Sequence, residues 1–429
     1  MIRVYLVLIT ILCFALLFSC SSSESEENST TTSSEENSTT TSSEENSTTT
    51  SCSGRGCNKP TPYSKMTLGN SESSLKYFIT PSFSEIGENA VKSGINLAKN
   101  FLGTAYPVRI YLLAPNKART EYSGFNSDLC QFTGSSSNNC GDSQISTAQN
   151  GGGRFFASWI DSCESCGNTS SGVVLFILPR DQDMGSNLAY RGIHEYTHAV
   201  QKVFGDTIPT WLMEGGAVYM ECMMAQQVDN NTFSQCFKNG GGGGGVIRNV
   251  RTLYGDNSKT TWLKTYGTDS CCSKYCPSGI HTDEPLSDTN KRSVYYDVGA
   301  MAVAFAINKA NAYHQNDGGR TSKDFWQSKG KGFWHAIIPY GDIDLNNGYP
   351  SSVPEGKGWK AALTTFTGYK TVDEFYDAFE AFVMPNGVVA SEDVLLSILE
   401  SDSEVYTMSQ QIVDSSSTDF INNGQSCGN

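Results

Sequence analysis

Histidine is scarce in this chain of 429 residues: it has five, at positions 194, 198, 281, 314 and 335. Finding two of them one helical turn apart is therefore informative. Positive charge is also short, with 30 Lys and Arg against 44 Asp and Glu and a net charge of -14. Arg3 contributes +1 within residues 1–20 and seven Glu contribute -7 between Ser21 and Cys52, so residues 53–429 carry -8. Phosphate contacts need a Lys/Arg face, and a moderately acidic body offers none, so no nucleic-acid partner is expected. Long hydrophobic runs are missing beyond the N-terminus. The apolar stretch Val394–Leu399 is too short to be a second membrane anchor.

The N-terminus does carry an apolar run, Val4 to Phe18, behind Met1-Ile2-Arg3. Its length and flanks suit an export signal more than a membrane span. Leu17-Phe18-Ser19-Cys20 resembles a bacterial lipobox, which implies lipidation of Cys20 and a cell-surface or outer-membrane lipoprotein, with ordinary secretion as the alternative. Residues 1–20 are thus read as a signal peptide and 21–57 as a tether. Within the tether Ser-Glu-Glu-Asn-Ser-Thr-Thr-Thr-Ser recurs with a period of nine and holds nothing apolar to repay the entropy of ordering. Asn28, Asn37 and Asn46 each precede Ser-Thr, so a glycosylated stalk is the other reading. Fourteen cysteines agree with export. Setting aside Cys13 and Cys20 leaves an even number, with Cys52–Cys57, Cys130–Cys140 and Cys222–Cys236 as local pairs. A second zinc on Cys163, Cys166, Cys272 and Cys276 is a minor alternative.

In the body, apolar residues at helical spacing mark Ile86–Phe101, and continuous β-branched and apolar runs mark strands at 108–113, 154–160 and 172–178. Gly, Ser and Asn dominate residues 123–153, which read as a disulfide-pinned loop. Helices are expected over Asn187–Phe204, over Trp211–Gln227 with Thr210 as N-cap, over Ser293–Ala310, and in pieces beyond. Residues 58–228 form an α/β lobe, 229–290 a Gly/Cys-rich irregular insertion with six consecutive Gly, and 291–429 a mainly helical lobe.

The chemistry concentrates in Arg191-Gly192-Ile193-His194-Glu195-Tyr196-Thr197-His198-Ala199. On a helix, His194 and His198 share a face and can reach one metal ion, with Glu195 beside them as general base. Catalytic zinc usually takes a third protein ligand. Pro209-Thr210-Trp211-Leu212-Met213-Glu214-Gly215-Gly216-Ala217 supplies Glu214, with Glu221 in reserve. Gly215 and Gly216 permit close backbone approach. His281, His314 and His335 read as surface or structural.

His-Glu-Tyr-Thr-His followed by Trp-Leu-Met-Glu-Gly-Gly-Ala resembles the gluzincin superfamily of metallopeptidases, distantly the aminopeptidase-N and thermolysin-like branches. The two motifs cover residues 194–217, with a weaker similarity over about 75–385. The resemblance implies an α+β fold: a zincin-type catalytic lobe, with a small mixed sheet and the active-site helix, then a mainly helical lobe, with the zinc cleft between them. It also implies one Zn(2+) per chain on His194, His198 and Glu214, Glu195 as catalytic base, and a peptide or protein substrate. Tyr296, in Tyr296-Asp297-Val298-Gly299-Ala300, matches an oxyanion-donating Tyr, with Tyr295 as competitor. Two departures stand out. No Gly-x-Met-Glu-Asn segment precedes the motif, so exopeptidase activity has no support. Position 218 is Val where thermolysin-like relatives carry an Asp that orients a ligand, so another group must hold His194. The competing functions are a non-catalytic surface adhesion lipoprotein that keeps the zinc scaffold, and a zinc amidase on cell-wall peptides.

Overall fold

A strand that is apolar along its whole length must be covered on both faces, and Gly172–Leu178 is buried throughout. It forms strand β4 near the middle of a four-stranded sheet ordered β1-β2-β4-β3. The others are β1 (Leu75–Ile79), β2 (Val108–Leu112) and β3 (Arg154–Ile160). β1 and β2, and β2 and β4, run parallel; β3 is an antiparallel edge strand, with Phe156 opposite Phe176. This computed structural model describes residues 75–103, 107–135, 137–160, 172–201, 208–240, 245–256, 262–267, 292–326, 333 and 353–410. All of them belong to one compact unit, Thr50–Asn429. Cys20, the repeats, the Cys52–Cys57 pair, Cys163, Cys166, Cys272, Cys276, His281 and His335 lie outside the described residues.

Successive side chains of a strand point to opposite faces, and the two faces build different cores. Val108, Ile110, Leu112, Val173, Leu175 and Ile177 join the main core with α1 (Glu85–Leu102). Helix α1 starts where the Ser84 hydroxyl accepts the Gly87 N–H at 3.0 Å. Tyr111, Val174 and Phe176 face the other way, onto Phe125, Leu129 and Ile145. These last residues correct the predicted loop over 123–153. That segment holds α2 (Phe125–Thr133) and α3 (Asp142–Gln149), joined by the Cys130–Cys140 disulfide. Its Gly, Ser and Asn lie at helix ends and exposed positions, while a few apolar residues do the packing.

The main core continues through α4 (Leu188–Gln201) and α5 (Thr210–Met223), whose N-cap is Pro209 and not Thr210. The stretch read as an irregular insertion contains α6 (Phe233–Asn239) and α7 (Val246–Asp256). Cys222–Cys236 fastens α6 to α5. Ser293–Val298 is wound as a π-helix and leads directly into α8 (Gly299–Tyr313). Helices α9 (Gly358–Thr367), α10 (Val372–Val383) and α11 (Asp402–Gln410) follow. The described chain is thus mostly helical around one small mixed sheet.

Two helix crossings made through glycine position the site. Where α1 meets α4, a Cβ on Gly192 would lie 2.6 Å from the Val91 carbonyl oxygen, and one on Gly94 would strike the backbone of Ala189. Where α5 meets α8, a Cβ on Gly215 would lie 2.5 Å from Gly299 Cα. Helix axes can approach this closely only where side chains are missing.

Candidate metal centre

Helix α4 is buried along nearly its whole length between α1, the sheet and α5. His194 and His198 project from one face of it toward α5, where Glu214 sits in the second turn. The Nε2 atoms of both histidines lie 3.2 Å from the same Glu214 Oε2. Two ligands at zinc bonding distances of ~2.0–2.2 Å, opened to a tetrahedral angle, are ~3.4 Å apart. The three atoms therefore surround a point suited to a metal ion. The histidine side chains are 4% and 7% exposed and Glu214 is 20% exposed, so the point opens to solvent on the Glu214 side.

The remaining ring nitrogens are also engaged. His194 Nδ1 is 2.7 Å from Glu221 Oε1, and His198 Nδ1 is 2.7 Å from Gln201 Oε1. Acceptors at both Nδ1 positions hold a proton there, so that each ring in its neutral form presents the Nε2 lone pair toward Glu214. Glu221 is thus not a metal ligand. It lies behind His194, on the ring nitrogen away from Glu214, and 3.5 Å from Arg191 as well. From Glu214 it is seven positions on, two helical turns, and α5 carries it past the metal point to the far side of the ring.

Glu195 is 3% exposed, and its Oε2 has no hydrogen-bond partner among the described residues. Burial raises its pKa above the ordinary carboxylate range, against the pull of His198 and His194. Glu214 responds oppositely: burial alone would raise it, but His198 and His194 outweigh burial and hold it well below that range. Burial pulls His194 down, yet its hydrogen bonds to Glu214 and Glu221 prevail and push it up to about 10. Three carboxyl groups, Glu195, Glu214 and Glu221, thus crowd two imidazoles in a poorly solvated space. Such an excess of acid calls for a compensating cation, so the donor set fits a divalent metal.

Tyr296 comes from the π-helical turn before α8. The Gly215–Gly299 crossing carries it to the centre, where its ring stacks 5.8 Å from that of His194, with an interplanar angle of 12°. Burial, then the charge of Glu214 and a hydrogen bond to it, raise its hydroxyl pKa and keep it protonated. Tyr295 packs against the main core instead. Asp297, buried and accepting from Asn249 Nδ2 at 3.0 Å, is pushed up to about 7 by burial. His314 plays no part here: its Nδ1 meets Asp317 at 3.1 Å and its Nε2 meets the Thr365 carbonyl at 3.4 Å. Sequence reasoning missed Gln201, because an amide is not a metal ligand; its place three residues after His198 on the same helix was the available signal. No protein-family model, curated protein or solved structure matches this chain, so what the centre can do follows from its own geometry.

Proposed function

We propose that the chain is an exported zinc metallopeptidase of gluzincin type, hydrolysing peptide bonds at a cleft between its α/β and helical lobes and anchored through Cys20. The observation that carries this reading is the convergence of His194 Nε2, His198 Nε2 and Glu214 Oε2 at 3.2 Å spacing beside a buried carboxyl, Glu195, with an unengaged oxygen.

His194, His198 and Glu214 would hold the zinc, which when bound would supply Lewis acidity and lower the pKa of a water to ~7. Glu195 accepts the proton of the attacking water on Oε2 and returns it to the leaving amine. Burial raises its pKa from the ordinary carboxylate value, which makes it a stronger proton acceptor than a solvated carboxylate. The Tyr296 hydroxyl, kept protonated, donates a hydrogen bond to the carbonyl oxygen as negative charge develops there. Strand β3 is an edge of the sheet among the described residues and packs beside α4, the position at which an extended peptide would add a strand.

Three measurements test this reading. Metal analysis of the purified protein should return one zinc per chain. Digestion of a peptide library should give cleavage that stops with chelator. Glu195→Gln should keep zinc and lose cleavage; a protein that holds zinc but cleaves nothing would be the surface-binding scaffold instead.

A further inference from the structure

The geometry points to Gln201 as a positioning residue that fixes the ring of His198 and ties it to the helical turn bearing Glu214. This inference rests on the zinc reading above. Gln201 closes α4 and is 1% exposed. Its Oε1 lies 2.7 Å from His198 Nδ1, while its Nε2 donates to the carbonyls of Met213 at 3.0 Å and Leu212 at 3.4 Å.

Hydrogen-bond capacity removes any ambiguity about which way the amide faces. The Leu212 and Met213 carbonyls can only accept, so they require the NH₂ end. The oxygen is then directed at His198, and an oxygen can only accept from Nδ1. His198 must carry its proton on Nδ1, which leaves the Nε2 lone pair facing Glu214 Oε2 at 3.2 Å. A main-chain feature of α5 thus dictates the tautomer of a ligand on α4. Met213 directly precedes Glu214, so one amide couples the second ligand's ring to the third ligand's backbone.

Two further features fit this role. A Cβ on Gly216 would sit 3.1 Å from Gln201 Nε2 and 2.6 Å from Trp326 Cη2, so the second glycine of the Gly215-Gly216 pair makes room for the amide. The two histidines are also held differently, His194 by the carboxylate of Glu221 and His198 by a neutral group. A carboxylate at 201 would face two carbonyl oxygens and add a fourth acid to a space already holding Glu195, Glu214 and Glu221. An amide keeps the acceptor without the charge.

The test compares wild type, Gln201→Leu and Gln201→Glu, measuring zinc affinity by competition with a chromophoric chelator and the Tm of the metal-free protein. Gln201→Leu removes both functions of the amide and should weaken zinc binding ~10–100-fold. Gln201→Glu keeps an acceptor for Nδ1–H and loses the donors, so zinc affinity should stay close to wild type while the metal-free Tm falls. Wild-type zinc affinity in Gln201→Leu overturns the proposal. So does an equal loss of affinity in both variants, since the acceptor that Gln201→Glu keeps for Nδ1–H would then count for nothing. If Gln201→Leu does not fold, Gln201→Glu decides: retained affinity with a lowered Tm supports the coupling, and a loss of 10-fold or more overturns it. A wild-type protein that binds no zinc sinks the metal reading itself, a result separable from each of these.

Discussion

Gly215→Ala tests whether the α5–α8 crossing sets the geometry of the centre. The added methyl would lie 2.5 Å from Gly299 Cα and also strike the Gly299 carbonyl carbon and the Ala300 nitrogen, all backbone atoms that cannot rotate away. Carbon atoms settle at ~3.5–4.0 Å, so the helices must part by ~1 Å or more. Overpacking of this kind costs ~1–3 kcal/mol, which in a folded unit of this size lowers Tm by ~1–4 °C. Tyr296 lies one turn before Gly299, and the same movement draws its ring away from His194, 5.8 Å away in the native arrangement. Because its hydroxyl is assigned to the transition state, kcat should fall more than KM rises. Gly216→Ala is the control. Its methyl meets the side chains of Trp326 and Gln201 and no backbone atom of a facing helix, so its Tm should fall less. Calorimetry of the zinc-loaded proteins decides the matter. If Gly215→Ala melts with wild type, or Gly216→Ala proves the more damaging, the crossing does not hold the site.

Tyr296→Phe should keep its zinc and lose ~10²-fold in kcat, the usual loss for one oxyanion donor; undiminished kcat removes Tyr296 from the chemistry. Glu380, which accepts the Leu263 N–H at 2.9 Å, is pushed by burial from 4.5 up to about 7. Between those values the unfolded chain releases the proton that the folded one keeps. Stability therefore falls as pH rises, by ~3 kcal/mol in all, and the loss is complete above about pH 7. Glu380→Gln should then match wild type near pH 5 and exceed it at pH 8 in urea titrations, and a reversed ordering would refute the assignment. Replacing Cys222 and Cys236 by Ser opens a loop of separation 14 and should cost ~3 kcal/mol in the same assay.

The parts legible in the sequence were those whose determinants are local. Strands β3 and β4 occupy the predicted bounds, because their apolar runs are strong and their flanks break sharply. Cys130–Cys140 and Cys222–Cys236 pair as short spacing suggested. His194, His198 and Glu214 converge because helical periodicity and the short stretch of sequence between the two helices leave them few other arrangements. What escaped depends on distant partners. Leu75–Ile79 becomes a strand only because β2 offers an edge to pair with. Helices α2 and α3 hide behind Gly, Ser and Asn, and α6 and α7 flank a run of glycines that masks them. Counting turns from Glu214 made Glu221 a reserve ligand; only the crossing of α4 and α5 shows that it reaches the other nitrogen of His194.

The glycine crossings also bear on mutational tolerance. At Gly94, Gly192, Gly215 and Gly299 the helices meet through main chain, so no rotamer change can absorb an intruding methyl. Donor positions are then inherited from the backbone itself, as in a casting with no adjustable parts. Chelation should accordingly strip the metal and leave the far-UV circular dichroism intact, unlike a small domain whose folding is driven by its zinc. In a saturation scan the least forgiving positions near the centre should include these four, which carry no reactive group.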